Sequence, residues 1–137
     1  MTDREESLTA TRGPVPDTAI IGVVEDDPSF LRALRRLLTA AGFSVATFAS
    51  AEEFLASERA GATACLVLDV HLGGMSGFDL QQRLATAGTP IPTIFITAHD
   101  DPVTRERARS GVAYLRKPFR EDALIAAIQQ ALEGRRA

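Results

Sequence analysis

Ala64-Cys65-Leu66-Val67-Leu68-Asp69 is the stretch whose reading decides the fold. Its apolar residues run without alternation into a single carboxylate. Such a run reads as a strand buried on both faces, the kind found inside a parallel sheet. Asp69 then lies at the C-terminal end of that strand, the edge where open α/β sheets gather ligands and chemistry. Val70-His71-Leu72-Gly73-Gly74-Met75-Ser76-Gly77 follows as a glycine-rich loop before the next helix. Asp69 is therefore expected at a crevice mouth. Taken alone, it reads more readily as a strand-end Asp capping a turn.

The same pattern recurs on either side of this strand. Ala19-Ile20-Ile21-Gly22-Val23-Val24 is a second unbroken apolar run, and it ends in Glu25-Asp26-Asp27. Pro28 suits the first turn of a helix, with Asp27 as its N-cap. Phe30, Leu34, Leu37, Leu38 and Ala41 recur at helical spacing up to a stop at Gly42. Phe43 to Phe48 reads as a short strand. Ser50 with Glu53 has the spacing of a capping box for a helix to about Ser57, with Phe54 and Leu55 inward.

Beyond Asp69 the chain offers a helix from Phe78 to about Ala85, broken by Gly88 and Pro90, then a strand from Pro92 to Thr97. A fifth strand covers Val112 to Leu115 and leads into Lys117-Pro118-Phe119. The last helix runs from about Arg120 to Leu132 with Gly134 as its stop. Strands alternating with helices imply a doubly wound parallel sheet of five strands with five helices. Residues 1–18 are polar with no hydrophobic period and read as a disordered leader. Residues 19–134 read as one domain.

The totals narrow the function classes. The 137 residues carry 15 basic and 18 acidic side chains, a net charge of −3. That argues against a sequence-independent grip on nucleic acid or on an anionic membrane. One cysteine rules out a disulfide within the chain and suits a reducing cytoplasm. No apolar run reaches membrane-spanning length, and the N-terminus is too acidic for a signal peptide. Of the 15 basic residues only Lys117 is lysine. A compact ammonium on a flexible stem differs chemically from a planar guanidinium, so its position draws notice.

In a parallel sheet all the strand C-termini share one edge. That edge would hold Glu25, Asp26 and Asp27, Asp69, Thr97 and, just past the fifth strand, Lys117. Clustered carboxylates repel unless they share a cation. Oxygen-rich sites of this kind suit Mg²⁺. A carboxylate beside a metal, an ammonium and a hydroxyl can act as a nucleophile toward phosphorus, its charge stabilised as the group transfers.

These pieces resemble a bacterial two-component response-regulator receiver domain, CheY-like and of FixJ type. The resemblance rests on Val23-Val24-Glu25-Asp26-Asp27, on Leu68-Asp69 followed by Met75-Ser76-Gly77, on Ile96-Thr97-Ala98 and on Lys117-Pro118-Phe119. It spans roughly Ile20 to Leu132. It implies the flavodoxin-like strand order 2-1-3-4-5 and a phosphoacceptor role for Asp69. It further implies Mg²⁺ (or Mn²⁺) held by Asp26, Glu25, Asp69 and the backbone carbonyl of His71. Thr97 matches the switch hydroxyl, Lys117 the phosphate-binding lysine with a cis bond to Pro118, and Tyr114 the aromatic coupled to the threonine. His71 and His99, two residues past Asp69 and Thr97, would tune hydrolysis. Read singly, Glu25 and Asp27 are helix caps, Thr97 an ordinary strand residue, Tyr114 a half-buried core aromatic, and the two histidines solvated loop residues.

The implied function is a phosphoacceptor switch rather than an enzyme, with Mg²⁺-dependent self-phosphorylation and slow self-dephosphorylation. Phosphoryl would come from a sensor histidine kinase or a histidine phosphotransfer protein, and the signal would pass to a downstream protein partner. A phosphorylation-dependent homodimer is a further option. With no helix-turn-helix after the last helix, a stand-alone receiver without direct DNA binding is expected. The alternatives are the receiver fragment of a DNA-binding transcriptional regulator and, more remotely, a flavodoxin-like small-molecule binder or hydrolase. No Walker-type loop or dinucleotide glycine fingerprint supports the last.

Two departures from the family pattern carry expectations. Gly73 stands where the family usually has proline, so the loop after Asp69 is expected to be looser and less pre-organised. The helix candidate Pro102 to Arg109 has only Val103 and Ala108 as apolar anchors, so a short, shifted or mobile fourth helix is expected.

Overall fold

The computed structural model describes residues 19–136, and the proposed leader at 1–18 lies outside them. The elements are β1 (Ile20–Val24), α1 (Pro28–Ala40), β2 (Ser44–Phe48), α2 (Ala51–Ala56), β3 (Thr63–Asp69), α3 (Gly77–Thr86), β4 (Thr93–Thr97), α4 (Pro102–Arg107), β5 (Ala113–Arg116) and α5 (Glu121–Arg136). Short 3-10 turns at Glu58–Ala62 and Ala108–Ser110 lead into β3 and β5. All strand pairs are parallel, in the order β2-β1-β3-β4-β5.

β3 is central, and all seven of its residues are buried. Alternate side chains serve the two faces. Cys65 and Val67 join Ile94 and Ile96 of β4 against Leu34 and Leu38 of α1 and Leu124 and Ile128 of α5. Leu66 and Leu68 join Phe95 against Phe54 of α2 and Leu80 of α3. Each large apolar side chain buried in this way contributes on the order of 2 kcal/mol. The result is a rigid platform whose strand C-termini face one way.

The helix ends follow from local chemistry. Asp27 caps α1 by accepting from the Ser29 and Phe30 N–H groups, with Pro28 in the first turn. Gly42 leaves α1 at φ +98, and its N–H and that of Phe43 return to the Thr39 and Leu38 carbonyls. Ser50 caps α2 by accepting from Glu53 N–H, but the Glu53 carboxylate reaches back to Ala49 N–H. The reciprocal capping box forms instead at Ser76 and Asp79 of α3.

Two expectations shift. Gly134 does not stop α5, which continues to Arg136. A glycine ends a helix by turning left-handed, as Gly42 and Gly88 do, and Gly134 does not take that conformation. β5 begins at Ala113 rather than Val112, which is partly exposed. The fourth helix is short, as its thin apolar face suggested: six residues, then the 3-10 turn. Val103 is 71% exposed, while Thr104 and Ala108 are the buried contacts.

Candidate functional site

Three consecutive acids at the end of β1 take three directions. Glu25 N–H extends the sheet by donating to the Phe48 carbonyl at 3.0 Å, which turns its side chain inward, 1% exposed. Its Oε2 accepts from Asp27 N–H at 3.0 Å and its Oε1 from Lys117 Nζ at 2.8 Å. Asp26 is exposed and reaches across to the loop after β3, where Oδ2 accepts from Gly73 N–H at 3.2 Å. Asp27 caps α1, the plainer of its two sequence readings.

Asp69 is 4% exposed at the end of β3. Its Oδ1 accepts from His71 N–H at 3.0 Å and its Oδ2 from Lys117 Nζ at 3.1 Å. Lys117 arrives from beyond β5, its N–H bonded to the Thr97 carbonyl at 2.7 Å and its bond to Pro118 cis. The ammonium also lies 4.5 Å from the centre of the Phe30 ring. The compact ammonium uses two of its three donors on the two carboxylates while lying against the aromatic face.

Charges in this pocket govern one another. Burial pushes the Glu25 carboxyl up to about 6, against the pull of Lys117 and the Asp27 N–H, and the nearby Asp69 adds to the rise. Burial also opposes the Lys117 charge, but its bonds to Glu25 and Asp69 outweigh that and hold the ammonium above its usual value. One oxygen from each of Glu25, Asp26 and Asp69 falls within 4.8 Å of the others. Three hard oxygen donors so placed could hold a divalent cation of the Mg²⁺ or Mn²⁺ kind, and they offer nothing to a soft metal.

Thr97 is fully buried at the end of β4, and its hydroxyl closes a turn with His99. It accepts from His99 N–H at 3.0 Å and faces the His99 carbonyl at 3.3 Å. The His71 and His99 rings, both exposed, meet edge to face at 4.8 Å, so the loops after β3 and β4 touch beside Asp69. Tyr114 is half-buried on β5, and its hydroxyl donates to Asp100 Oδ1 at 2.9 Å. The same oxygen receives the Arg105 guanidinium at 3.0 Å. Burial first, and then the Asp100 carboxylate, push the Tyr114 hydroxyl up to about 12.

The structure thus brings together Glu25, Asp26, Asp69 and Lys117, sets Thr97 at the neighbouring strand end, and places His71 and His99 at the rim. Tyr114 and Thr97 bond to different partners on the same loop. Two residues escaped the sequence reading. Asp100 binds Tyr114 from 14 positions away, and Glu52 accepts from Met75 N–H at 3.0 Å across 23. Neither has a local signature, since both are ordinary acids near a helix start. The loop after Asp69 is also not the loose segment expected from Gly73, because Asp26 and Glu52 each hold one of its N–H groups.

Comparison with known proteins agrees with this geometry. The family model for the response regulator receiver domain matches residues 21–129. Nodulation protein W of Bradyrhizobium diazoefficiens is 47% identical over 117 residues, covering 84% of this chain and 52% of that protein. Transcriptional regulatory protein FixJ of the same organism is 36% identical over 114 residues, covering 82% of this chain and 56% of that protein. The crystal structure of FixJ-N superposes with a TM-score of 0.78 at 33% identity, covering 84% of this chain and 94% of that one. The chain spans about half the length of these curated relatives. With a family model over most of its length and the strand-end acids and lysine in one pocket, the chain belongs to the response-regulator receiver-domain family.

Proposed function

We propose that this receiver, residues 19–134, takes a phosphoryl group onto Asp69 and changes its affinity for a protein partner in response. The observation that carries this is the Lys117 ammonium bridging Glu25 and Asp69 at 2.8 and 3.1 Å, beside the Asp26 carboxylate. A sensor histidine kinase or histidine phosphotransfer protein would present a phosphohistidine. An Asp69 oxygen forms the new P–O bond as the P–N bond breaks. The electron pair stays on the departing imidazole, which takes up a proton. Lys117 pairs with the transferring oxygens, where developing charge is best stabilised.

Glu25, Asp26, Asp69 and the His71 carbonyl are the groups that would hold Mg²⁺ or Mn²⁺. Such an ion supplies positive charge against the phosphoryl oxygens. Thr97 would exchange its bonds to His99 for the phosphoryl group, and Tyr114 would leave Asp100 as that loop moves, a two-state shift of the surface. His71 and His99 flank the group and would steer water during slow self-dephosphorylation. The same switch would open a partner-binding face or a phosphorylation-dependent homodimer. We place the protein in the cytoplasm; among the described residues no helix is long and apolar enough to cross a membrane.

The test is intact mass after incubation with Mg²⁺ and acetyl phosphate. One added phosphoryl is expected on the wild type and none on Asp69→Asn or on protein stripped of divalent cation. An adduct that survives Asp69→Asn would place the acceptor elsewhere.

A second reading has its own support. The relatives are about twice as long, and one is described as a transcriptional regulatory protein. On that reading the receiver controls an output unit on a longer chain. Sequencing the gene past Ala137, and DNA binding by its full product, separates this from a stand-alone switch.

A further inference from the structure

The loop between β3 and α3 combines two features that should make it poorly ordered. Gly73 lacks the restraint of proline, and Gly74 sits at φ +83. Yet the loop is tied down from two sides. Asp26 accepts from Gly73 N–H at 3.2 Å, and Glu52, from the first turn of α2, accepts from Met75 N–H at 3.0 Å. Gly74 makes the second tie feasible in two ways. Only glycine adopts its backbone conformation readily, and a Cβ there would stand 2.9 Å from Glu52 Oε2. An acid in the first turn of α2 is favourable for the helix in any case. That does not explain why its carboxylate leaves the helix to bond a loop 23 residues on.

We infer that Glu52 is a positioning residue for the phosphoacceptor loop, bracing from α2 the segment that includes His71, whose backbone carbonyl is a proposed cation ligand. The inference rests on the phosphoacceptor reading of this pocket for its purpose, not for its geometry. The two ties are not equivalent. Asp26 is itself among the residues that would hold the cation, so its bond to Gly73 competes with that role. Glu52 has no such second duty, so cation binding would not compete for its tie. The Met75 N–H, first among the causes, holds the Glu52 carboxyl below the usual carboxylate range. Groups that support metal ligands from outside the coordination sphere alter affinity by about tenfold or more when removed.

The experiment compares wild type, Glu52→Gln and Glu52→Ala by two readouts: Mn²⁺ affinity by loss of the free-ion EPR signal, and amide exchange at Met75. Glu52→Ala should weaken Mn²⁺ about tenfold and speed exchange at Met75. Glu52→Gln keeps an oxygen acceptor and should lose less of both. Unchanged Mn²⁺ affinity in Glu52→Ala would overturn the inference. Faster exchange confined to α2 would also overturn it, leaving Glu52 as a helix residue only. Phosphoryl uptake by the wild type is scored separately. Its failure alongside the expected Mn²⁺ and Met75 changes would sink the phosphoacceptor reading and leave the brace standing.

Discussion

The loops after β3 and β4 flank Asp69 and touch through the His71 and His99 rings, yet they are held in different proportions by backbone and side chain. The loop at 70–76 is held by its backbone. Its Gly73 and Met75 N–H groups donate to carboxylates from α1's approach and from α2, and Gly77 N–H donates to the Val70 carbonyl at 3.0 Å. The loop at 98–101 bonds the Thr97 hydroxyl through the His99 backbone, and its remaining ties are made by side chains. Asp101 caps α4 by accepting from Thr104 N–H at 2.8 Å, and Asp100 joins Tyr114 of β5 to Arg105 of α4. The first loop is therefore sensitive to anything that blocks close backbone approach. The second is sensitive to loss of particular functional groups. The first is fastened toward β1 and α2, where the carboxylates lie, and the second toward α4 and β5. Thr97 and Tyr114 of β5 therefore meet on this second loop, through His99 and Asp100.

Substitutions can break this contrast, and the largest effect should come where the first loop enters α3. A Cβ at Gly77 would overlap the Asp69 carbonyl oxygen and stand 3.1 Å from the Val70 Cα, both backbone atoms that cannot swing aside. Gly77→Ala should cost about 3 kcal/mol in urea unfolding. A wild-type midpoint would mean that α3 can slide away from β3. Gly74→Ala should cost less, about 1–2 kcal/mol for an alanine held left-handed, measured in the same way. If the two glycines proved neutral, the first loop would not be organised by its backbone after all.

The second loop should answer by a titration rather than by unfolding. Tyr114 is the only tyrosine and there is no tryptophan, so ultraviolet absorbance follows one group. Its hydroxyl should titrate near 12 in the folded protein. In Asp100→Asn the midpoint should fall part of the way toward the ordinary value of about 10, since burial, the larger cause, remains. The sign follows from the raised folded value. Tyr114's contribution to stability is fully present below the unfolded value and is lost as pH rises through about 12. An unmoved midpoint in Asp100→Asn would remove Asp100 as the tether. The smallest effect belongs to Arg107, whose guanidinium lies 4.5 Å from the centre of the Phe78 ring and fastens α4 to α3. Arg107→Gln should cost about 0.5 kcal/mol.

How much of this was legible beforehand depends on the range of the interaction. Asp27, Pro28 and Gly42 act within a helix turn, and their roles are those their spacing suggested. Asp69, Thr97 and Lys117 could be placed on one edge because each follows an apolar run, and parallel strands put those ends together. The fourth helix was expected to be short from its two apolar anchors, and it is. Gly73 misled for the same reason that others succeeded. Its local meaning is flexibility, but the N–H that proline would lack is the group Asp26 binds from 47 positions away. Gly134 misled because a glycine stops a helix only if the chain turns there.

The sequence by itself determined the strands, the helix limits set by caps, and the set of groups gathered at the strand ends, because apolar periodicity and capping are local and depend on residue type alone. Only the tertiary structure decided how the three acids after β1 divide their roles, and that Lys117 bridges Glu25 to Asp69 rather than pairing with Asp26. It also decided that Glu52 and Asp100 belong to the two loops. Those choices turn on distances of a few ångströms between residues 14 to 92 positions apart, and such distances exist only once the sheet has set its order and register.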